Sequence, residues 1–338
     1  MLQFKNNTPL TGTLMMVPNP QGIDSVFTIM KGTFALADTM ELAEEQLPLV
    51  EADQYHDEPG QSSLKEACDL IPMKPGTDVL LSGSAIAPNG GTTCEMEVSL
   101  RVGNIDKRVR VLGDRVLKSG VVGRRISDPE PFQKMPLVWE RAFGGMDQTK
   151  EDNPQLHAEL RNPVGTGFCL GRGQLELDGL RLPNLECPDE PISSWKDRPS
   201  PAGLAAICPQ WEPRRSYAGT YDEGWQKQRA PYLPHDFDPR FFQSAPEDQV
   251  VPGYLQGNEK VEVTGVTKQG VLKFRLPSIR PRVTYRIDGQ EETPPVNLDT
   301  VLIEPDAKRL VLSWRTALAC DKKTLRVREV AVELVQSA

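Results

Sequence analysis

The stretch Cys94-Glu95-Met96-Glu97-Val98-Ser99-Leu100-Arg101-Val102 alternates, with apolar residues at even positions and polar residues at odd positions. A period of two places these sets on opposite faces of a sheet. Gly103-Asn104 follows, a turn pair that tolerates positive φ, and Lys107 to Leu112 alternates again through Val109 and Val111. These residues predict a β-hairpin with one buried face.

Short runs rich in β-branched residues predict further strands on both sides of this hairpin. The N-terminal runs are Thr11–Val17, Ser25–Leu36 and Asp78–Ala87. The C-terminal runs are Lys260–Thr267, Val271–Leu276, Arg282–Ile287, Thr300–Glu304, Arg309–Trp314 and Thr324–Val335, with a tight turn at Asp288-Gly289. This spacing predicts a mainly β fold with sandwich- or barrel-like antiparallel sheets. The sequence lacks the βαβ alternation of a nucleotide-binding sheet.

Residues 129–256 differ from both flanks, because they hold 17 of the 30 prolines and 14 of the 21 aromatic residues. Proline lacks a backbone donor and is excluded from central strands, whereas disordered chains are poor in large apolar residues. We therefore predict an ordered, irregular central segment that packs on two β regions, residues 1–128 and 257–338. Asn153-Pro154 and Asp238-Pro239 each pair a capping residue with proline and predict short helices there.

Composition indicates the cellular compartment of the protein and the classes of partner it can bind. The net charge is −8 and no run of Lys and Arg exceeds three residues, which disfavours a nucleic-acid partner. No stretch approaches the 18 apolar residues of a membrane span, and the N-terminus lacks the apolar core of a signal peptide. The six cysteines form no CxxC pair. We therefore expect a cytoplasmic protein with reduced thiols and no membrane partner.

Catalytic and cofactor-binding signatures are absent from the sequence. It contains no GxxxxGK[ST], HExxH or GxSxG motif, so we predict no catalytic residues and no cofactor. His235-Asp236-Phe237-Asp238 combines residue types that bind divalent metals. We assign Asp238 instead to the cap of a short helix and predict no metal site.

Several short motifs in and before the central segment resemble a known family. In chain order they are Gly113-Asp114-Arg115, Trp139-Glu140-Arg141-Ala142-Phe143-Gly144-Gly145, Asn162-Pro163-Val164-Gly165-Thr166-Gly167-Phe168, Leu182-Pro183-Asn184-Leu185-Glu186, Pro201-Ala202-Gly203-Leu204, Pro209-Gln210-Trp211-Glu212-Pro213-Arg214, Gly219-Thr220-Tyr221-Asp222-Glu223-Gly224-Trp225, Pro234-His235-Asp236-Phe237-Asp238-Pro239-Arg240-Phe241-Phe242 and Ala245-Pro246-Glu247-Asp248-Gln249. The series resembles the domain of unknown function 2169 over nearly the whole chain. Thr166 departs from the family pattern, which has a basic residue there.

The resemblance implies both a function and partners. Family members are encoded beside type VI secretion spike proteins and PAAR-repeat proteins. This implies a non-catalytic adaptor or chaperone that stabilises a PAAR-containing effector or toxin and helps to load it onto the type VI spike. No catalytic residues are known for the family. Two alternatives stay open, a hydrolase that uses acidic residues of the central segment and a structural component of the secretion particle.

The residue types of the central segment indicate where a partner would bind. Aromatic residues and arginine are enriched at interface hot spots, and binding residues concentrate on loops held by a rigid scaffold. We therefore predict a partner surface in this segment, with the candidate residues Trp139, Trp211, Arg214, Tyr221, Trp225 and Phe241.

Overall fold

The computed structural model describes residues 2–37, 40–120, 123–147, 157–170 and 177–336. Within these ranges the chain is mainly β, with several antiparallel sheets, which confirms the fold class predicted from the sequence. No helix in the described ranges has the length and apolar character needed to cross a membrane.

The described strands and helices are as follows. The N-terminal region contains β1 (Gln3–Asn6), β2 (Thr11–Pro18), β3 (Asp24–Ala35), β4 (Gln54–Tyr55), β5 (Leu64–Glu66), β6 (Gly76–Leu81), β7 (Ser84–Ile86), β8 (Glu95–Val102), β9 (Ile105–Leu112), β10 (Arg115–Gly120) and β11 (Gly123–Ile126). The central segment contains β12 (Lys134–Pro136), β13 (Phe143–Gly144), β14 (Thr166–Gly167), β15 (Arg181–Leu182), β16 (Leu185–Glu186), α1 (Glu223–Gln228) and β17 (Val250–Pro252). The C-terminal region contains β18 (Lys260–Thr264), β19 (Val271–Arg275), β20 (Ile279–Ile287), β21 (Gln290–Glu292), β22 (Asn297–Glu304), β23 (Arg309–Ala319) and β24 (Val327–Gln336). Short 3-10 helices span Pro88–Gly90, Trp139–Arg141, Arg214–Ala218, Pro239–Phe242, Glu247–Gln249 and Thr324–Arg326.

The largest sheet joins the two flanking β regions. Its six strands follow the order β17-β6-β22-β23-β3-β2, and β22 runs parallel to β6. All residues of β3 from Ser25 to Phe34 are buried, because both faces of the strand are covered. This accounts for a sequence that lacks the alternation of a half-exposed strand.

The predicted hairpin forms the middle of a second, five-stranded sheet with the order β16-β9-β8-β18-β19. Val98, Leu100 and Val102 of β8 are buried, as the alternation predicts. Ser99 is also buried, and its Oγ compensates for the loss of water by pairing with Thr264 Oγ1 on β18 at 2.7 Å. Gly103 has the positive φ of 60° that the predicted turn requires.

A third sheet, β1-β24-β20-β21, packs against the first. Tyr285 of β20 is fully buried, and its hydroxyl lies 2.6 Å from Thr28 Oγ1 of β3. The predicted strand from Thr324 starts later, at Val327, because Thr324–Arg326 forms a 3-10 turn. The predicted run Asp78–Ala87 is likewise divided into β6 and β7, since β7 leaves the large sheet to pair with β12.

The central segment is anchored to both large sheets. β16 pairs with β9 and β17 pairs with β6, while Trp139 and Trp211 pack in the main core with ring centroids 6.2 Å apart. The Asp238 cap is confirmed, since its side chain accepts a bond from Arg240 N at 2.9 Å. The predicted cap at Asn153-Pro154 lies outside the described residues.

Strands of the six-stranded sheet also carry buried charged side chains. Asp299 pairs with Arg315, and both are almost fully buried. Lys74 Nζ lies 2.7 Å from Asp78 Oδ2 of β6, and both side chains are buried. Burial raises the pKa of Asp299, although the Arg315 guanidinium opposes that rise.

Candidate functional site

The structure divides the six predicted partner-binding residues between the core and the surface. Trp139 and Trp211 are only 3% and 2% exposed, and Arg214 is also buried. Phe241 is half-buried. Trp225 is likewise half-buried, and its neighbour Tyr221 is 53% exposed. The surface around these two rings is therefore the candidate functional site.

Helix α1 positions this surface. Asp222 caps the helix, because its Oδ1 accepts a hydrogen bond from Trp225 N at 2.8 Å. A side-chain cap of this kind stabilises a helix by about 1 kcal/mol. Lys227 Nζ and Glu223 Oε2 form an i,i+4 ion pair at 2.9 Å on the solvent face. These local bonds orient Trp225 toward its aromatic neighbours.

Three rings form what we call the aromatic surface, which consists of Tyr221, Trp225 and Tyr232. The Tyr221 and Trp225 rings meet edge to face with centroids 4.7 Å apart. The Trp225 indole Nε1 donates to the carbonyl of Tyr232 at 2.8 Å, which closes the loop after α1. Tyr221 and Tyr232 stay 53% and 38% exposed. Aromatic rings held in this way offer apolar area at low entropic cost to a partner.

Arg229 connects the aromatic surface to the turn between β2 and β3. Its guanidinium lies 5.5 Å from the centre of the Tyr232 ring. Its Nε donates to Leu233 O at 2.8 Å, and its Nη2 donates to Pro20 O at 3.2 Å. A single arginine therefore holds one ring in place and ties the central segment to the N-terminal hairpin.

The base of the aromatic surface is fixed by a turn that needs glycine. Gly219 has a φ of +77°, and a Cβ there would lie 3.0 Å from Asp236 Oδ1 and from Phe237 N. The Asp236 carboxylate accepts bonds from Thr220 N at 3.0 Å and from Thr220 Oγ1 at 2.7 Å. These two bonds lower the pKa of Asp236 below its usual value.

Charged residues form a rim beside the aromatic surface. Arg240 Nη2 lies 2.6 Å from Asp238 Oδ2, and this bond lowers the pKa of Asp238. The Arg240 guanidinium also stacks 4.2 Å from the centre of the Tyr217 ring. Burial and the bond from its hydroxyl to Glu247 raise the pKa of Tyr217 to about 12. Asp236 and Asp238 thus serve as ties within the loop, and the described residues contain no cluster able to hold a metal ion.

Sequence reasoning missed Tyr232, Arg229 and the turn of Gly219. Tyr232 stands between proline residues in a segment without periodicity, so no local pattern indicates its exposure. The only local sequence pattern that indicated helix α1 was Asp222 three residues before Trp225, a spacing typical of a helix cap. The position of Arg229 depends on contacts with a loop about 209 residues away in the sequence.

Four of the family-like motifs meet at a second feature, a polar cleft of about 480 Å³. The polar residues from these motifs that line it are Asp114, Arg115, Glu140, Arg141, Thr166 and Asn184. The cleft lies within the size range of ligand pockets, but its lining is more polar than is typical for one. Its assembly from distant segments was not predicted from the sequence.

The carboxylates of the cleft make structural bonds. Asn184 Nδ2 donates to Asp114 Oδ1 at 2.9 Å, and Arg141 Nη1 donates to Asn184 Oδ1 at 2.9 Å. Glu140 accepts bonds from Ser63 N at 2.6 Å and from Ser63 Oγ at 2.8 Å. These side chains tie segments that are distant in the sequence to one another.

Arg115, which also lines the cleft, makes structural bonds as well. Arg115 Nη2 lies 2.5 Å from Glu186 Oε1, with the Glu186 side chain fully buried. The same Nη2 also donates to Pro183 O at 2.8 Å. Breaking a buried pair by removing one partner leaves an uncompensated charge, so these residues define the shape of the cleft.

Comparison with known proteins gives one match. A sequence profile of the family described as an uncharacterized protein conserved in bacteria, domain of unknown function 2169, matches residues 21–315. No curated protein and no solved structure matches the chain. The matched range includes all the motifs quoted above, the polar cleft and the aromatic surface.

Proposed function

The chain belongs to the bacterial family domain of unknown function 2169, and we propose that it is a non-catalytic adaptor or chaperone. In this proposal it binds a PAAR-containing effector, stabilises it, and helps to load it onto the type VI secretion spike. The link to type VI secretion comes from the resemblance of the motifs. The adaptor role is supported by the aromatic surface.

The exposed rings of Tyr221 and Tyr232 are the observation that carries this proposal. They remain exposed although the loop around them is fixed by hydrogen bonds from Trp225, Arg229 and Thr220. A loop ordered before binding loses little further entropy when a partner covers it. Rings with a charged rim match the composition of protein interfaces. The aromatic surface therefore fits a protein partner better than a small ligand.

The test is co-expression of this chain with a PAAR-containing effector from the same genome. We expect the chain to raise the soluble amount of effector, because a client bound only in its folded state is stabilised by mass action. Truncation of two hot-spot rings costs about 2 kcal/mol or more, so Tyr221→Ala with Tyr232→Ala should weaken binding at least about thirtyfold. Affinity is measured by isothermal titration calorimetry.

Leu325→Ala is the matched control for these substitutions. Leu325 is 86% exposed on the C-terminal 3-10 turn, outside the central segment, and its removal should leave affinity unchanged. An effector whose solubility and delivery do not change in cells that lack this chain would refute the adaptor function. Co-sedimentation of the chain with assembled spikes or sheaths would instead identify a component of the particle.

A further inference from the structure

Strand β2 occupies one edge of the six-stranded sheet, and β3 is its only pairing partner among the described strands. Asn19 N donates to Ile23 O at 2.8 Å in the turn that follows β2. Hydrogen-bonded and non-hydrogen-bonded pairs alternate along an antiparallel ladder, so this bond identifies which residues of β2 bond to β3. The odd-numbered residues of β2 bond to β3, whereas the even-numbered residues direct their N–H and C=O groups away from it.

A second bond confirms this assignment of inward-facing and outward-facing residues. Cys320 N donates to Asp24 O at 2.8 Å, so the carbonyl of Asp24 faces β23 although Asp24 lies opposite Pro18 of β2. Pro18 therefore stands at an outward-facing position, where a missing N–H costs no ladder bond. Toward the other end of the strand, Thr11 Oγ1 bonds to Leu47 O at 2.9 Å. The free edge therefore spans Leu14 to Pro18.

Edge strands of the other two large sheets carry charged residues, whereas β2 does not. β19 carries Lys273 and Arg275, and β21 carries Glu291 and Glu292. Charged side chains on an edge oppose pairing with a further strand. The eight residues of β2, Thr-Gly-Thr-Leu-Met-Met-Val-Pro, include no charged side chain, and Met16 is 54% exposed.

The free edge adjoins the aromatic surface. The turn between β2 and β3 receives a bond from Arg229 at Pro20 O, and a Cβ on Gly22 would lie 3.5 Å from Tyr232 Cδ1. A partner that covers Tyr232 therefore reaches the end of β2 without crossing the molecule. The two features form one continuous surface.

We propose that the edge of β2 from Leu14 to Pro18 accepts an extended, uncharged segment of the partner as a seventh strand of the sheet. This inference rests on the proposed adaptor function and specifies how the partner is held. An extended polypeptide supplies N–H and C=O groups at the spacing of the free ladder, which is the basis of β-strand addition. Uncharged side chains on that segment match the uncharged β2.

Two substitutions at Met16 separate the backbone from the side chain. Met16→Pro removes an outward N–H and places the proline ring in the path of the incoming strand, whereas Met16→Val keeps the N–H. With the PAAR-containing effector of the co-expression test as the probe, we expect at least a tenfold loss of affinity for Met16→Pro. The affinity of Met16→Val should stay within about twofold of wild type, because valine keeps the backbone N–H that bonds to the incoming strand.

Amide hydrogen exchange of the wild-type complex gives a second measurement that does not depend on the folding of a variant. The amides of Leu14 and Met16 should gain protection when the effector binds, by at least tenfold in exchange rate. Equal affinity of Met16→Pro and Met16→Val, or unprotected amides, would overturn the edge-strand inference. A loss of binding in the double variant Tyr221→Ala with Tyr232→Ala would still uphold the adaptor function.

The oligomeric state of the free chain tests whether a second copy occupies the edge of β2. Sedimentation should show that wild type and Met16→Pro have the same state. A wild-type dimer that Met16→Pro dissociates would show that a second copy occupies the edge, which overturns the inference. Complete lack of effector binding by the wild type would refute the proposed function together with this inference.

Discussion

Two pairs of rings in the central segment have similar geometry and opposite surroundings. Trp139 and Trp211 meet edge to face at 6.2 Å, and Tyr221 and Trp225 do so at 4.7 Å. The first pair is buried against Gly203, where an added Cβ would come within 2.6 Å of the Trp139 ring. The second pair leaves Tyr221 half in solvent. Ring content alone therefore does not distinguish a core from a docking surface.

The difference lies in where the polar groups around each pair find partners. The Trp139 indole donates to the carbonyls of Ala205 and Ala206 inside the core, so its polar edge and apolar faces are both satisfied within the chain. The Trp225 indole is also bonded, but its neighbour Tyr221 has open area. The buried pair stabilises the fold, and the exposed pair is available to a partner.

The largest effect should come from Trp139→Ala. Removal of a buried tryptophan costs about 3–5 kcal/mol through lost transfer energy and the remaining cavity, and two carbonyls also lose a donor. Urea unfolding followed by circular dichroism measures this free energy. Tyr221→Ala is the comparison variant, with a change within about 0.5 kcal/mol. Equal destabilisation by the two variants would contradict the division into core and surface.

Arg214→Met should have the next largest effect. The Arg214 guanidinium donates to the carbonyls of Ile207 and Phe241, and burial lowers its pKa below the usual arginine value. Hydrogen bonds from charged groups contribute about 1.5–3 kcal/mol each, but methionine also removes the desolvation cost of a buried charge. We therefore expect a net loss of about 2–3 kcal/mol in the free energy of unfolding. Its exposed neighbour provides the control, because Arg215→Met should change stability by less than about 0.5 kcal/mol.

Gly219→Ala tests whether the aromatic surface depends on its turn. Gly219 has a φ of +77° and a ψ of −176°, a conformation that costs a non-glycine residue about 1–3 kcal/mol, and the added Cβ also crowds Asp236 and Phe237. We expect a loss of stability of about that size together with weaker effector binding. Gly60→Ala is the matched control, because Gly60 has a similar φ of +81° but no atom within 4 Å of an added Cβ. The affinity of Gly60→Ala for the effector should not change.

The smallest effect should appear on acidification. The pKa of Asp236 is lowered, chiefly by the bonds from Thr220, so the contribution of this carboxylate is complete above its unfolded pKa of about 3.9. The contribution disappears as the pH falls through the lower, folded value. The amide shift of Thr220, followed by NMR from pH 6 to pH 2, should therefore have a midpoint below 3.9. Thr220→Val should raise the Asp236 midpoint, and a wild-type midpoint above 3.9 would rule out this tie.

The hairpin of β8 and β9, the turn at Asp288-Gly289 and the Asp238 cap were predictable because each depends on residues within a few positions. Backbone conformation confirms the second turn, with φ of +52° at Asp288 and +82° at Gly289. The sequence also indicated an ordered central segment from its rings and prolines. Partner identity stays a prediction based on resemblance.

The sequence by itself determined the alternating strands of the β8–β9 hairpin, its turn, the Asp238 cap and the family, since these are carried by local patterns. Tertiary structure alone decided that β22 pairs with β6, that Asp299 meets Arg315 in the interior, and that Tyr221 is exposed while Trp211 is buried. The physical reason is that burial and strand order depend on contacts between residues far apart in the chain. Local periodicity fixes which face of a strand is apolar, but long-range packing fixes what covers that face.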